Sequence, residues 1–204
     1  MDSVDICNLA LNFLGKGRID SLSDNNELAR TCKLHYDRYR KILLTEYSWS
    51  FAQMTTKLEE IAEDKLKGVV TGWQHAYIYP EKCLQIIRVY TDKEHKKDDH
   101  RRNFFVQSVE DFSLGKKVIC TNENEAYMDY INDVEDVGYF SNEFIEALSH
   151  YLAYGMAQAL AGSESKAQTE LQYMQYALAQ AKLKTAQERE HKPSTPDKYY
   201  MARF

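Results

Sequence analysis

The chain has no hydrophobic run long enough to cross a bilayer. Its least polar stretch, residues 147–162, contains Ser149, His150 and Gln158 and is shorter than the roughly 20 apolar residues that a membrane-spanning helix needs. The first 15 residues include no Lys or Arg, so they lack the positively charged start of a secretory signal peptide. We therefore expect a soluble protein that begins with an amphipathic helix and does not contact membranes.

Cysteine is scarce and dispersed. No C-x-x-C pair occurs, and no histidine lies near a cysteine at the spacing of metal ligands. Each cysteine lies in an apolar or periodic segment. We expect them to be reduced, buried thiols in a cytosolic protein: Cys7, Cys32, Cys83 and Cys120.

Basic charge and catalytic motifs are lacking as well. With 26 Lys and Arg against 31 Asp and Glu, the net charge of −5 argues against a general attraction to nucleic-acid phosphates.

No G-x-S-x-G, H-E-x-x-H or P-loop pattern is present. A glycosidase pair can be imagined in Glu59-Glu60, or in Glu143 with Glu146. The last two, however, fall in the first turn of a predicted helix, where the helix dipole favours acidic residues. We expect no catalytic site, no cofactor and no metal.

Tyrosine is abundant, at 15 residues, while proline and glycine number only three and eight. Tyrosine combines a large contact area with a polar tip, so a surplus is typical of surfaces that partners cover. A tyrosine-rich core of a monomer explains the composition equally well.

Two amphipathic helices are predicted at the start of the chain. The first covers residues 3–14, with Asp2 as its N-cap, Asp5 three residues later, and glycines at 15 and 17 to end it. The second begins after Asp24, with Glu27 completing a capping box. Its apolar residues recur every three or four positions as one stripe: Leu28, Cys32, Tyr36, Tyr39, Leu43 and Tyr47. An aromatic cluster (Tyr47, Trp49, Phe51) is expected to pack where this helix ends.

The middle of the chain has strand and turn patterns, and the last part is helical again. Six strands are predicted, at residues 51–58, 75–79, 83–90, 104–109, 117–121 and 125–131. A third helix begins after Ser141, with Phe140 and Ile145 at hydrophobic-staple spacing, and ends at Gly162. A fourth helix, residues 165–190, has a narrow apolar seam: Ala167, Leu171, Met174, Leu178 and Ala181.

These elements predict an α+β fold. Two N-terminal helices (1–50) and two C-terminal helices (139–191) form a four-helix bundle, an inserted antiparallel β-sheet subdomain covers residues 51–138, and an extended, flexible C-terminal tail covers 192–204. The tail has two prolines and no apolar period, so it does not fold alone.

Three charged or aromatic segments are candidates for binding. No Lys or Arg occurs between Lys117 and Lys166. The acidic residues there form either a solvated face or the lining of a conduit that repels DNA, the principal ones being Asp129, Asp133, Glu135 and Asp136.

A polar loop carries Lys96, Lys97, Arg101 and Arg102, mixed with acidic residues. A solvated loop is the first interpretation of this segment, and contact with a neighbouring subunit or a tail protein is the second.

The tail ends in residue types that are enriched at interface centres: Tyr199, Tyr200, Met201, Arg203 and Phe204. A terminus without function is one interpretation. We favour an anchor that orders on binding, so that deleting residues 199–204 weakens assembly and leaves the chain folded.

Three groups of residues give the chain a resemblance to a known family. The first runs from Ile6-Cys7-Asn8 through Leu14-Gly15, Glu27-Leu28-Ala29, Tyr36, Arg40 and Leu43-Leu44 to Trp49-Ser50-Phe51-Ala52. The second comprises Trp73-Gln74-His75-Ala76-Tyr77-Ile78-Tyr79-Pro80, Cys83-Leu84 and Val89. The third comprises Tyr127, Tyr130-Ile131, Phe140, Phe144, Glu146-Ala147-Leu148, Leu152-Ala153, Ala177, Ala181 and residues 186–188. In this order and spacing, the chain resembles the head-to-tail adaptor (connector) proteins of short-tailed bacteriophages, the group of tail tubular protein A and the packaged-DNA-stabilising factors.

The resemblance implies a structural virion protein at the head–tail junction, made in the host cytoplasm. It implies a ring, commonly of twelve copies, that docks under the portal protein, extends the conduit for double-stranded DNA, helps to retain packaged DNA and provides the attachment surface for the tail nozzle. The loop at 93–102, the acidic joint at 133–136 and the tail are not specified by the resemblance. Two alternatives stay open: a tail-associated hydrolase, and a cytosolic helical interaction module unrelated to virions.

Overall fold

The computed structural model describes residues 1–62, 72–91, 103–109 and 117–188. Over these ranges the chain has an α+β fold with four α-helices and two small antiparallel sheets. The helices are α1 (Ser3–Phe13), α2 (Glu27–Thr45), α3 (Asn142–Ala161) and α4 (Glu164–Gln187), and a 3-10 helix (Val137–Tyr139) precedes α3. The strands are β1 (Gln53–Lys57), β2 (His75–Ile78), β3 (Cys83–Tyr90), β4 (Phe104–Ser108), β5 (Lys117–Thr121) and β6 (Tyr127–Asn132).

The helix starts are set by side-chain caps, and one predicted cap is wrong. Asp2 and Asp5 form the reciprocal capping box expected for α1. For α2 the cap is Asn26, which accepts the backbone N–H of Ala29. Asp24 instead accepts the backbone N–H groups of Asp20 and Ser21, so its carboxylate closes the preceding loop.

Aromatic side chains fill the region where α2 ends and the sheets begin, as predicted. Trp49 is fully buried and donates its indole N–H to the carbonyl oxygen of Leu43 at 2.9 Å. Its ring meets those of Tyr47 and Phe51, and Phe144 of α3 packs edge-on against Trp49 at 5.1 Å between ring centres. This cluster fixes the first turns of α3 against the end of α2.

Helix α3 is in contact with α1, α2 and α4. Its contact with α2 is tight at Gly155, where a Cβ atom would lie 2.4 Å from the ring of Tyr39. Cys32, two turns before Tyr39 on α2, meets Met156 of α3, with their sulfur atoms 3.8 Å apart. All four cysteines are free and buried, as predicted.

The strands form two sheets where a single sheet was predicted. One has the order β1-β6-β3 and the other β2-β5-β4, and all four pairings are antiparallel. Tyr77 and Ile119 of the second sheet share an apolar cluster with Val89 and Met128 of the first. Alternation along a strand shows which residues face a core, but it does not show which strands pair.

A buried ion pair connects the helices to the sheets. Arg40 of α2 is almost fully buried, and its guanidinium lies 2.5 Å from both a carboxylate oxygen of Asp133 and the carbonyl oxygen of Val134, just after β6. Asp37 accepts a further hydrogen bond from Arg40 at 2.6 Å. Burial disfavours the charge on Arg40, yet these two carboxylates raise its pKa above the ordinary value.

Among the helices of the described ranges, none combines the length and the apolar character that crossing a membrane requires.

Candidate interaction site on the C-terminal helices

The two C-terminal helices form an antiparallel hairpin with a tight connection. Gly162 ends α3 in the left-handed conformation (φ +60°), and Ser163 then caps α4 by accepting the N–H of Lys166. Ser141 caps α3 by accepting the N–H of Phe144, and Phe140 and Ile145 are both buried, as the staple spacing predicted.

The face that α4 turns toward α3 agrees with the predicted seam only in part: Met174 and Ala181 are buried, and Ala167 and Leu178 pack partly buried against the core. The buried residues are Glu170, Met174, Ala177, Ala181 and Thr185. Leu171 and Leu178, which were predicted to be central, are only half-buried. The reason is a polar contact: Glu170 is rotated inward to meet His150 of α3.

His150 is the polar centre of this helix pair. Its Nδ1 lies 2.6 Å from the carboxylate of Glu170, and its Nε2 lies 3.3 Å from that of Glu146. The imidazole stacks on the ring of Phe13 of α1, with 4.2 Å between the ring centres. The ring of Tyr173 of α4 lies 5.4 Å from the imidazole between centres, and the two ring planes are tilted relative to each other. His150 therefore joins three helices.

A cleft of about 380 Å³ opens above His150, between the start of α3 and the middle of α4. Its lining combines two carboxylates with two tyrosines: Asn142, Glu143, Glu146, His150, Tyr173, Tyr176, Ala177 and Gln180. Glu143 accepts a hydrogen bond from Lys184 at 2.7 Å, and this contact holds the pKa of its carboxyl below the ordinary value. Lys184 neutralises Glu143, whereas Glu146 has no Lys or Arg partner among the described residues: its half-exposed carboxylate faces only Nε2 of His150, at 3.3 Å.

Beside the cleft, large apolar side chains of α4 are exposed. The exposed fractions are 54% for Tyr173, 69% for Tyr176 and 55% for Leu183. Their spacing of three and seven residues places them in one row, which continues the wall of the cleft along the helix. We call this row, with Gln180, the α4 row. Several large apolar side chains exposed on one face beside polar groups are typical of a protein–protein interface.

The α4 row was not predicted, although the sequence contained its signal. Tyr173, Tyr176 and Leu183 recur at helical spacing, as the residues of the predicted core seam do, and they lie on a neighbouring face of the same helix. When a helix has two apolar stripes, the spacing of its apolar residues does not distinguish the buried stripe from the exposed one. Only the packing of α3 against α4 shows which stripe is covered.

The predicted acidic face includes one residue that is not on the surface. Asp129 is 3% exposed and lies in the centre of the first sheet. It accepts hydrogen bonds from Arg88 at 2.6 Å, Thr55 at 2.6 Å and Tyr90 at 3.1 Å. Asp129 therefore connects the strands on both sides of β6, and it cannot belong to an exposed acidic lining.

The other three acidic residues lie together after β6. Asp133 is mostly buried and forms ion pairs with Arg40 and Lys41. Glu135 and Asp136 are exposed, and Asp136 also caps the 3-10 helix by accepting the N–H of Gly138. Of the predicted acidic set, these two are available to a partner.

The remaining predicted binding residues lie outside the described ranges. These are Lys96, Lys97, Arg101 and Arg102 of the polar loop, and Tyr199, Tyr200, Met201, Arg203 and Phe204 of the tail.

Three of the carboxylates that could be imagined as catalytic pairs have basic neighbours. Glu143 forms an ion pair with Lys184, Glu146 lies 3.3 Å from Nε2 of His150, and Glu60 lies 2.6 Å from Nδ1 of His75. Over the described residues, no cluster of three or more His, Cys, Asp or Glu side chains is arranged to hold a metal ion.

No protein-family model matches this chain, and no curated protein is significantly similar to it. A function therefore has to be inferred from the residues and their contacts.

Proposed function

We propose that this chain is a head-to-tail adaptor of a short-tailed bacteriophage. In this proposal, copies of the chain form a ring, commonly of twelve, that docks under the portal protein, extends the DNA conduit, helps to retain the packaged genome and carries the tail nozzle. The four helices act as one bundle with the sheets beside it. The contacts of α3 with the other three helices support this arrangement.

The observation that carries the proposal is the exposed α4 row beside the acidic cleft. Tyr173, Tyr176 and Leu183 are each more than half exposed on a helix that already buries a different face, that of Met174, Ala177 and Ala181. Tyrosine in particular is enriched at the centres of interfaces. A chain that works in an assembly needs such a surface, whereas a monomer gains nothing from it.

The order of family-like residues supports the specific assembly. Many of them have structural tasks in the described fold: Asn8 binds the backbone of Ile19 through both amide atoms, Arg40 binds Asp133, and Trp49 closes the end of α2. The exposed Glu135 and Asp136 are in keeping with a DNA conduit, because negative charge keeps phosphates from adhering to the wall.

Inactivating the gene for this chain tests the proposal. We expect heads that package DNA and then lose it, and that carry no tails, with normal particles restored when the wild-type gene is supplied in trans. DNA-filled, tailed particles that fail only at infection would indicate a tail-associated hydrolase instead. Normal particles that do not contain the chain would indicate a cytosolic interaction module.

A further inference from the structure

Helix α2 has an exposed face whose charge is opposite to that of the α3–α4 cleft. Arg30, Lys33, Leu34 and Arg38 lie on this face, which we call the α2 face; Asp37 and Lys41 lie there too, paired with each other at 2.8 Å. Arg30 and Lys33 form no ion pair with another described residue, so their charges are available to a partner. Leu34, at 73%, is the most exposed large apolar side chain of the described residues.

The α2 face and the cleft lie on different sides of the molecule. Helix α2 turns Tyr39 and Cys32 toward α3, where they meet Tyr151, Gly155 and Met156. The α2 face is on the opposite side of the helix from these contacts. The cleft uses other residues of α3, Glu143, Glu146 and His150, and it is close to α1, whose Phe13 stacks on His150. One copy can therefore use both surfaces at once.

The two surfaces also match in length and chemistry. At a rise of 1.5 Å per residue, residues 30–41 of α2 extend for about 17 Å and residues 173–183 of α4 for about 15 Å. Tyr173 and Tyr176 offer ring faces to cations and apolar area to Leu34. Glu146 is the acidic partner for the guanidinium and ammonium groups.

We propose that the α2 face of one copy binds the α3–α4 cleft and the α4 row of the next copy. This inference rests on the proposed function, for which it identifies the contact between neighbouring subunits. A contact between two different surfaces of the same chain is heterologous, and its repetition closes into a ring when the rotation per copy divides a full turn. The cleft is thus occupied by a second copy, with Glu146 facing the basic side chains and the tyrosines covering Leu34.

Directed cross-linking tests the contact. The four native thiols are buried, so new surface cysteines react selectively. We expect Leu34→Cys mixed with Tyr176→Cys to give a disulfide-linked dimer under mild oxidation, and the double variant to give a ladder of higher multimers. Glu59→Cys, an exposed position outside both surfaces, mixed with Tyr176→Cys is the matched control and should stay monomeric.

Charge reversal provides the second measurement. Glu146→Lys, or Arg30→Glu with Lys33→Glu, should weaken self-association by about tenfold or more in sedimentation velocity, since like charges then face each other. Combining the three changes in one chain should restore much of the affinity, because each contact then again pairs opposite charges. Glu59→Lys should leave association unchanged.

The outcomes separate this inference from the proposed function. The inference is overturned if oligomers form but positions 34 and 176 do not cross-link, or if the charge reversals leave the affinity of self-association unchanged. A ring formed through other surfaces would still be compatible with the proposed function. Cross-links only between like positions, 34–34 or 176–176, also overturn it, because they indicate a two-fold contact. A chain that neither associates nor cross-links, with or without the portal ring of the same genome, contradicts both.

Discussion

At the scale of single residues, contacts in this fold reverse some ordinary expectations about substitution. Replacing glycine by alanine inside a helix usually stabilises it, by about 1 kcal/mol. At Gly155 the added methyl group would overlap the ring of Tyr39, which Tyr151 and His35 hold in place. The steric cost of overpacking is therefore larger than the gain in helix propensity.

We predict that Gly155→Ala lowers the free energy of unfolding by about 1–3 kcal/mol, measured by urea denaturation. Gly17→Ala is the matched control, because no atom lies within 4 Å of the new methyl group, and it should be close to neutral. A stabilised Gly155→Ala variant would show that α2 and α3 are further apart than described.

Asp129 gives a second prediction at this scale. Removing its carboxylate breaks the ion pair with Arg88 and the hydrogen bonds from Thr55 and Tyr90 in the centre of the sheet, so we expect Asp129→Ala to cost about 3–5 kcal/mol of stability. Lys57→Ala, which breaks the exposed pair with Glu125 in the same sheet, should cost less than about 1 kcal/mol. Equal losses in the two variants, compared by thermal or urea unfolding, would contradict the buried position of Asp129.

Glu143 makes stability depend on pH. Its pKa in the folded chain is below the ordinary value of 4.5, chiefly because Lys184 donates a hydrogen bond to the carboxylate. A lowered pKa stabilises the fold above the unfolded value, and this contribution is lost as the pH falls through the folded value. The melting temperature of wild type should therefore exceed that of Glu143→Gln at pH 7, with the difference shrinking below about pH 4.5. A difference that is constant from pH 7 to pH 3 would rule out this contribution.

At the scale of elements, the sequence predicted where regular structure occurs better than how it packs. The caps at Asp2 and Ser141 were predictable, since a cap is a contact within one turn of a helix. All six predicted strands begin and end within two residues of the observed bounds, the largest differences being the starts of β1 and β6, each predicted two residues early. The division into two sheets was not predictable, because it depends on β6 and β5 each pairing on both edges.

The buried polar residues explain why the candidate site was not predicted from the sequence. Acidic residues such as Asp129 and Glu170 are usually exposed, and their burial is favourable here because partners distant in sequence, Arg88 among those of Asp129 and His150 for Glu170, meet their carboxylates. Because Glu170 faces inward, α4 is rotated relative to the predicted seam, and Tyr173 and Tyr176 are left on the surface.

The two stripes of α4 should respond differently to substitution. Met174→Ala opens a cavity against α3 and should cost about 2–5 kcal/mol of stability. Tyr176→Gln, two residues away, should change stability by no more than about 0.5 kcal/mol. Equal destabilisation by both variants in urea unfolding would mean that the α4 row is part of the core, and not a surface for partners.

At the scale of the whole molecule, the chain is a helical unit and a pair of small sheets connected through Arg40 and Asp133, with the two proposed interaction surfaces on separate sides. The acidic cleft with the α4 row is one, and the basic α2 face is another. Surfaces of opposite charge on different sides suit a subunit that repeats around an axis. The exposed Glu135 and Asp136 are a further group that such a ring can turn toward DNA.

Electron cryo-microscopy of the purified chain mixed with the portal ring encoded in the same genome is the most direct test of the adaptor assignment. We expect a closed ring of 23.8 kDa subunits, twelve if the family resemblance holds, coaxial with the portal and leaving an open channel. Portal rings without added density, or single copies of the chain bound away from the channel, would contradict it.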